Sequence, residues 1–419
     1  MTPFQFSACT SALQTILSFT HPADTCLSHF FRAHPKLGGQ DRHIVAETIF
    51  AILRHLQTLR LLVSPDKACA KKLLIAWLAR QHNLREFAAV LSDADLAFAK
   101  AIKAKKDLAL SLAQQAELPD WVITHLQQQQ WAEDTILALG NAMQVPAPLD
   151  LRVNTLKIKR DDVIAQLQAE GIEAVPTPYS PFGIRLASKP TLQRLALFTQ
   201  GYIEVQDEGS QLLGLLLAPR RHDMVVDFCA GAGGKTLLLG AMMHSTGRLY
   251  ALDINEKRLN NLKPRLKRSG LSNVHPLLIQ HEQDTRITRL HGKIDKVLVD
   301  APCSGLGTLR RNPDLRFRQS QQSVEELQIK QSNILQSAAN LLKPGGRLVY
   351  ATCSILPQEN QLIIEKFLQT HPDFILHDAQ AILEKQRIAL PLSSSPYFQL
   401  LPHTHQTDGF FAAVLERQP

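Results

Sequence analysis

At 419 residues, with 45% hydrophobic and 20% charged side chains, the chain is too long for one small fold, since roughly 150 residues make a domain, and too balanced for a disordered or fibrous protein. Its longest apolar run, around Leu212 to Ala218, falls far short of the ~20 residues that cross a bilayer, and its first basic residue is Arg32, so a cytoplasmic protein with no secretory signal and no membrane association is expected. A net charge of +8, from 46 Lys and Arg against 38 Asp and Glu, favours a polyanionic partner and leaves the motifs to identify it.

To about Gln144 the pattern is helical. Val45, Ile49, Ile52, Leu53, Leu56 and Leu59 recur three or four apart, predicting one buried face over Asp41–Val63 with Asp41 as the cap. Ser64-Pro65 predicts the start of a second helix that continues over Ala68–Arg80. Further helices are predicted over Ala94–Lys105 and Trp121–Gly140, with Gln127 to Gln130 on a solvated face. Val145-Pro146-Ala147-Pro148 then reads as an extended linker. Strand patterns at Leu149–Val153, Gly183–Ala187 and Tyr202–Val205, with a helix over Asp161–Glu170, predict a small α+β module.

From Asp223 strands and helices alternate. Strands are predicted at Met224–Phe228, Arg248–Asp253, Val274–Ile279, Ile294–Asp300 and Arg347–Thr352. Helices are predicted at Thr236–Met243, Glu256–Arg268, Val324–Leu342 and Gln358–Gln369. This order predicts an α/β fold with a doubly wound parallel sheet.

The segment from Val225 to Thr236 is a strand, a Gly-rich turn and a helix start, with Cys229, Ala230, Gly231, Ala232, Gly233, Gly234 and Lys235 forming the turn. Glycines allow close backbone approach, and a helix N-terminus favours an anion. A phosphate-binding P-loop would need glycine where Cys229 stands, so that reading fails; a dinucleotide fingerprint would need a third glycine at Thr236, which weakens it. Asp253 ends the next strand, where its carboxylate can accept hydrogen bonds from both hydroxyls of a ribose. S-adenosylmethionine fits both halves of this pattern, its ribose at Asp253 and its methionine carboxylate at the helix start.

Six cysteines, Cys9, Cys26, Cys69, Cys229, Cys303 and Cys353, include no C-x-x-C pair, which argues against a disulfide framework and against structural zinc. The His403-Thr404-His405 pair reads as a solvated loop rather than a metal site. Cys303 follows the strand ending in Asp300, within Asp300-Ala301-Pro302-Cys303-Ser304-Gly305, and Cys353 ends a later strand. Two thiols at strand ends beside a cofactor loop suit a chemistry in which a thiolate adds to carbon 6 of a cytosine and turns carbon 5 into a nucleophile. A second group is then needed to help the proton on carbon 5 depart. Asp300 is placed to orient the base by accepting its amino hydrogens. Zinc deamination is disfavoured, because Leu306 occupies the position of the second metal-ligating cysteine. The residues alone do not rank the two cysteines, since DNA cytosine methyltransferases carry their nucleophile in a Pro-Cys pair like Pro302-Cys303.

At these motifs the chain resembles the RsmB/NOP family of RNA cytosine-C5 methyltransferases. Asp227 to Thr236, Asp300 to Gly305, Ala351-Thr352-Cys353-Ser354 and Thr407-Asp408-Gly409-Phe410-Phe411 carry the likeness. Gln206 to Gln211 resembles the helix that leads into the family's catalytic domain. The resemblance implies a class I methyltransferase domain over 219–419, a ferredoxin-like RNA-binding module over 145–218 and an all-α NusB-like domain over 1–144. It implies Cys353 as nucleophile and Cys303 in product release, with cofactor contacts from Cys229 to Lys235, Asp253 to ribose, Asp284 near adenine, and Asp300. Many members have proline where Ala232 stands, which implies a less rigid turn here.

For the RNA, Lys257, Arg258, Lys263, Arg265, Lys267 and Arg268 form one basic cluster. Arg310, Arg311, Arg316 and Arg318 form a second, expected to hold phosphates beside Cys303. The expectation is a monomeric, metal-free enzyme methylating carbon 5 of a cytidine in ribosomal RNA, 16S RNA foremost. Transfer RNA is the alternative substrate, and a non-catalytic assembly factor is the alternative class.

Overall fold

A computed structural model of the chain describes residues 1–105, 108–392 and 394–419. These form two compact units, one of residues 1–146 with 308–321, the other of residues 147–307 with 322–419. Among the described residues no helix is long and apolar enough to cross a membrane.

The first unit is helical, built around Leu13, Ile49, Ile52, Leu53, Leu73 and Leu74, all fully buried. Three predictions need correction here. The apolar stripe from Asp41 to Val63 is split into Gly39–Arg54 and Leu56–Val63 by a break at His55, and Gly38 is the cap, with Asp41 accepting the Gly38 N–H at 3.3 Å from the first turn. Apolar periodicity continues through the break because both pieces face the same core. Ser64-Pro65 starts no helix: Ser64 is extended, and the next helix runs over Ala70–Gln81. The Trp121–Gly140 stretch is two helices, Asp120–Gln128 and Glu133–Gln144, separated where Gln130 adopts φ +59°.

Residues 308–321 pack within this unit, which overturns the phosphate-holding role expected for Arg310 and Arg316. Arg316 is 2% exposed and Arg310 8%. The Arg316 guanidinium donates to the carbonyls of Arg54, at 3.2 Å, and of Glu117. Arg54 donates to the Arg310 carbonyl at 3.2 Å, and Asp314 accepts the Ala23 N–H at 3.2 Å. Buried cations need partners, and backbone carbonyls supply them at Arg316 Nη1 and Arg54 Nη2; desolvation lowers the Arg316 pKa to about 10.

In the second unit, strands β1 (Leu149–Val153), β2 (Ala174–Pro176), β3 (Gly183–Leu186) and β4 (Ile203–Val205) form an antiparallel sheet in the order β2-β3-β1-β4. The larger sheet joins parallel strands β5 (Met224–Asp227), β6 (Arg248–Asp253), β7 (Val274–Leu278), β8 (Ile294–Asp300) and β9 (Leu342–Thr352). Three strands not foreseen, β10 (Phe374–His377), β11 (Phe398–Leu400) and β12 (Phe410–Arg417), continue it antiparallel, giving the order β10-β12-β9-β8-β5-β6-β7 with β11 on β12. The central strands are apolar on both faces, Val225, Val226, Val297, Leu298, Leu348 and Val349 all being fully buried, as a covered parallel sheet requires. Register sets Asp300 beside Ala351 and Asp227 beside Leu298, so β5, β8 and β9 end together on one rim.

Candidate active site

The rim brings the two strand-end cysteines together: Cys303 Sγ and Cys353 Sγ lie 3.4 Å apart, both partly exposed. The hydrogen bond to Cys353, burial, and the negative charges of Cys353 and Glu359 push the Cys303 thiol well above the ordinary value. Cys303 is therefore held in its protonated form. Behind them the Gly307 N–H donates to the Cys353 carbonyl at 2.9 Å, and Gly409 donates to Gly307 at 2.8 Å. A Cβ on Gly307 would come within 2.2 Å of the Gly409 carbonyl oxygen, so this contact requires glycine.

Lys235 Nζ and Asp300 Oδ2 meet at 2.7 Å on the same rim. Burial opposes the lysine charge, but Asp300, with Cys353 and Asp227, holds its pKa above the usual value. At Cys229, as at Cys303, the thiol is pushed well above the ordinary value, here by burial and then by Asp300, Asp227 and Asp253.

In the Gly-rich turn, the Gly231 N–H donates to Asp253 Oδ2 at 2.7 Å, while Asp253 Oδ1 accepts from Asn255 at 2.7 Å. The Ala230 N–H donates to Leu252 at 2.8 Å, fastening the turn to β6. Gly231 has φ +56°, and a Cβ there or at Gly234 would meet nothing within 4 Å. The turn thus borders open space, and the helix Gly234–Met242 starts beside it. Asp227, 1% exposed beneath the turn, accepts the Thr236 hydroxyl at 2.7 Å. Burial raises its pKa to about 7, with Asp300 and Asp253 adding to the shift against the Thr236 hydrogen bond.

Two arginines hold the carbonyls of this turn. Arg152 on β1, 2% exposed, donates to the Gly234 carbonyl at 2.6 Å and to the side chain of Gln206. Arg265 donates to the Ala232 carbonyl at 2.6 Å and grips Glu204 on β4 at 2.9 and 3.1 Å. Arg268 also pairs with Glu204, at 2.5 Å. The small sheet is therefore bolted to the turn, and part of the Glu256–Ser269 basic cluster serves that link.

Asp284 lies apart from the cysteines, capping the short helix Thr285–Thr288. Its carboxylate accepts from the amides of Arg286 and Gln280, each at 2.9 Å, and from the Arg286 side chain at 3.0 Å. These bonds lower its pKa to about 2. His405 is engaged by Leu401 N–H at 3.1 Å and the Pro391 carbonyl at 2.9 Å, which gives its ring a structural use. Sequence reasoning missed Glu359, Glu204 and Arg152. The Gln358-Glu359-Asn360 run between Leu356 and Leu362, so soon after Cys353, was the available signal for the first.

Residues 214–416 match the model of the family described as 16S rRNA methyltransferase RsmB/F, and residues 118–193 match the ferredoxin-like domain of RsmF/B-like methyltransferases. The chain is 30% identical over 433 residues, covering 94% of it and 95% of the relative, to the probable ribosomal RNA small subunit methyltransferase B of Synechocystis sp.. It is 36% identical over 303 residues, covering 71% of it and 65% of the relative, to the ribosomal RNA small subunit methyltransferase B of Klebsiella pneumoniae. The crystal structure of PH0851 superposes with a TM-score of 0.81 at 26% identity, covering 100% of this chain and 99% of that one.

Proposed function

The chain belongs to the RsmB/F family of S-adenosylmethionine-dependent rRNA methyltransferases, and from that premise we propose that it methylates carbon 5 of a cytidine in 16S ribosomal RNA through a transient bond between Cys353 and carbon 6. The observation that carries this reading is the 3.4 Å approach of two sulfurs on the rim that also holds Asp300 and Lys235.

The residues of the turn fit the cofactor: open space above Gly231 and Gly234, a helix start, and an acceptor carboxylate in Asp253. Residues Cys229 to Lys235 and Asp300 would line it, Asp253 would take the ribose hydroxyls, and Asp284 would stand near the adenine. S-adenosylmethionine supplies the methyl group that carbon 5 receives.

In this reading Asp300 accepts from the amino group of the target base, and Lys235 keeps that carboxylate in place and favours negative charge on Cys353. The Cys353 thiolate forms a bond to carbon 6, and the ring electrons move toward carbon 5. In this reading Cys303, having passed its proton to solvent, acts as the base. Cys303 then takes the proton from methylated carbon 5. The electron pair of that C–H bond restores the ring double bond, and the pair of the C–S bond leaves on Cys353 Sγ.

The proposal includes a monomer acting in the cytoplasm without a metal, with the front unit and the small sheet engaging RNA. The test uses the intact protein, labelled S-adenosylmethionine and 16S RNA. Methyl transfer and sequencing should locate 5-methylcytidine, Cys353→Ala should abolish transfer and RNA capture, and Cys303→Ala should accumulate a protein–RNA adduct on denaturing gels. Binding of RNA without transfer would indicate the assembly-factor reading, and methylation confined to transfer RNA would move the substrate.

A further inference from the structure

A fully buried carboxylate, Glu359, stands behind the two sulfurs, and nothing in the chemistry above uses it. Its Oε1 accepts from the Ser304 N–H at 2.8 Å and from Gln331 Nε2 at 3.0 Å. Its Oε2 accepts from the Ser304 hydroxyl at 2.5 Å and from the Ser354 hydroxyl. Ser304 is the residue after Cys303 and Ser354 the residue after Cys353, and their hydroxyl oxygens lie 3.2 Å apart. Gln331 also donates to the Pro302 carbonyl at 3.0 Å, so the residues on both sides of Cys303 are tied to the same point. The turn that carries Glu359 is itself fixed: Tyr350 donates to the Glu359 carbonyl at 2.7 Å, and Asn360 bonds Thr352 at 2.5 Å and the Ser354 carbonyl at 3.0 Å.

All four groups that donate to this carboxylate are neutral. Burying a carboxylate is costly unless its oxygens are fully hydrogen-bonded, and here every bond goes to one of the two cysteine loops or to the helix bracing one of them. One carboxylate oxygen can accept two hydroxyls at once, drawing two separate loops to a common point, whereas an alanine or an aliphatic side chain could accept neither.

Resting on the two-cysteine reading above, we propose that Glu359 is a positioning residue that sets the spacing of Cys303 and Cys353 by clamping Ser304 and Ser354. The sheet ladder at Ala301 and the Gly307 contact hold the two strand ends away from the serines. The clamp closes the gap at the reacting residues themselves.

The test compares wild type with Glu359→Ala and with the double variant Ser304→Ala/Ser354→Ala. Two readouts are used: kcat for methyl transfer against KM for RNA, and the rate at which diamide joins Cys303 to Cys353 in the cofactor-free protein. In the second, the two thiols lose two electrons and two protons to the azo oxidant and form one disulfide. Both variants should lose roughly tenfold or more in kcat and in disulfide rate, the scale set by ångström-level misplacement, with RNA KM and cofactor affinity held near wild type. Variants that bind the cofactor normally and keep both wild-type rates overturn the proposal. If Glu359→Ala does not fold, the double serine variant, which leaves the carboxylate two of its donors, decides by the same readouts. A wild type that forms the disulfide but transfers no methyl refutes the proposed function, and the disulfide rates still decide the clamp.

Discussion

Replacing Glu204 by Gln should weaken cofactor binding although Glu204 touches no cofactor-binding residue directly. Its side chain is 6% exposed and accepts from two arginines, themselves only 20% and 21% exposed. Removing one member of a buried pair costs about 3–5 kcal/mol, and partial access of water to the two guanidinium groups brings the expected loss of stability to about 2 kcal/mol. The cofactor turn feels a separate effect, since Arg265 holds the Ala232 carbonyl at 2.6 Å only while Glu204 orients it. A hydrogen bond from a charged donor is worth about 1.5–3 kcal/mol, and loss of about 1.4 kcal/mol of that organisation is a tenfold rise in Kd. Calorimetric titration of S-adenosylmethionine into the intact protein without RNA measures it, with Arg265→Met as the companion expected to match. Glu204→Gln protein that melts earlier yet binds within about twofold of wild type, too small a change for a lost charged bond, would refute the coupling of the small sheet to the turn.

Gly231→Ala tests the opposite case. Its φ of +56° and the open space beside it predict a stability cost of only about 1 kcal/mol, but a methyl group projecting into the cradle should weaken cofactor binding more than about tenfold; equal affinity would show that the cofactor lies elsewhere. Asp227 supplies a pH signature. Its carboxyl is raised from the usual 3.8 to about 7 in the folded chain, so its contribution to stability is full below the unfolded value and is lost as pH rises toward about 7. Asp227→Asn, fixed in the neutral state, should therefore gain on wild type in urea denaturation between about pH 4 and 7, and a constant difference across that range would mean that Asp227 is ionised throughout.

The parallel strands were legible because a covered sheet leaves long apolar runs such as Val225-Val226 and Val297-Leu298-Val299, each ending in a polar turn. The same regularity brought Asp300, Cys303 and Cys353 to one rim on paper. Antiparallel β10, β11 and β12 were not legible, because β10 and β11 are only four and three residues long and find their partner in β12, which itself gains its place through β9. Arg152 was hidden for a related reason: alternation in Leu149–Val153 points polar residues toward solvent, whereas the Gly-rich turn covers that face of β1. Arg316 was misread because four arginines in nine residues look like a phosphate surface, and only packing reveals that one of them is buried, donating to carbonyls of the helical unit. Glu359 was missed for a similar reason, since two of its partners, Ser304 and Gln331, stand 55 and 28 residues away in the chain.

Synthesis proceeds from the first residue to the last, and ordinarily a front domain folds while the rest is still being made. Here the helical unit is completed by residues 308–321. Until they emerge, Arg54 lacks the Arg310 carbonyl and Ala23 lacks Asp314. The helical unit therefore stays unfinished until β5 to β8, half of the strands of the larger sheet, have been made. A nascent chain truncated between Cys303 and Thr308 lacks both the segment that completes the helical unit and strand β9 at the centre of the larger sheet, and so forfeits both units at once.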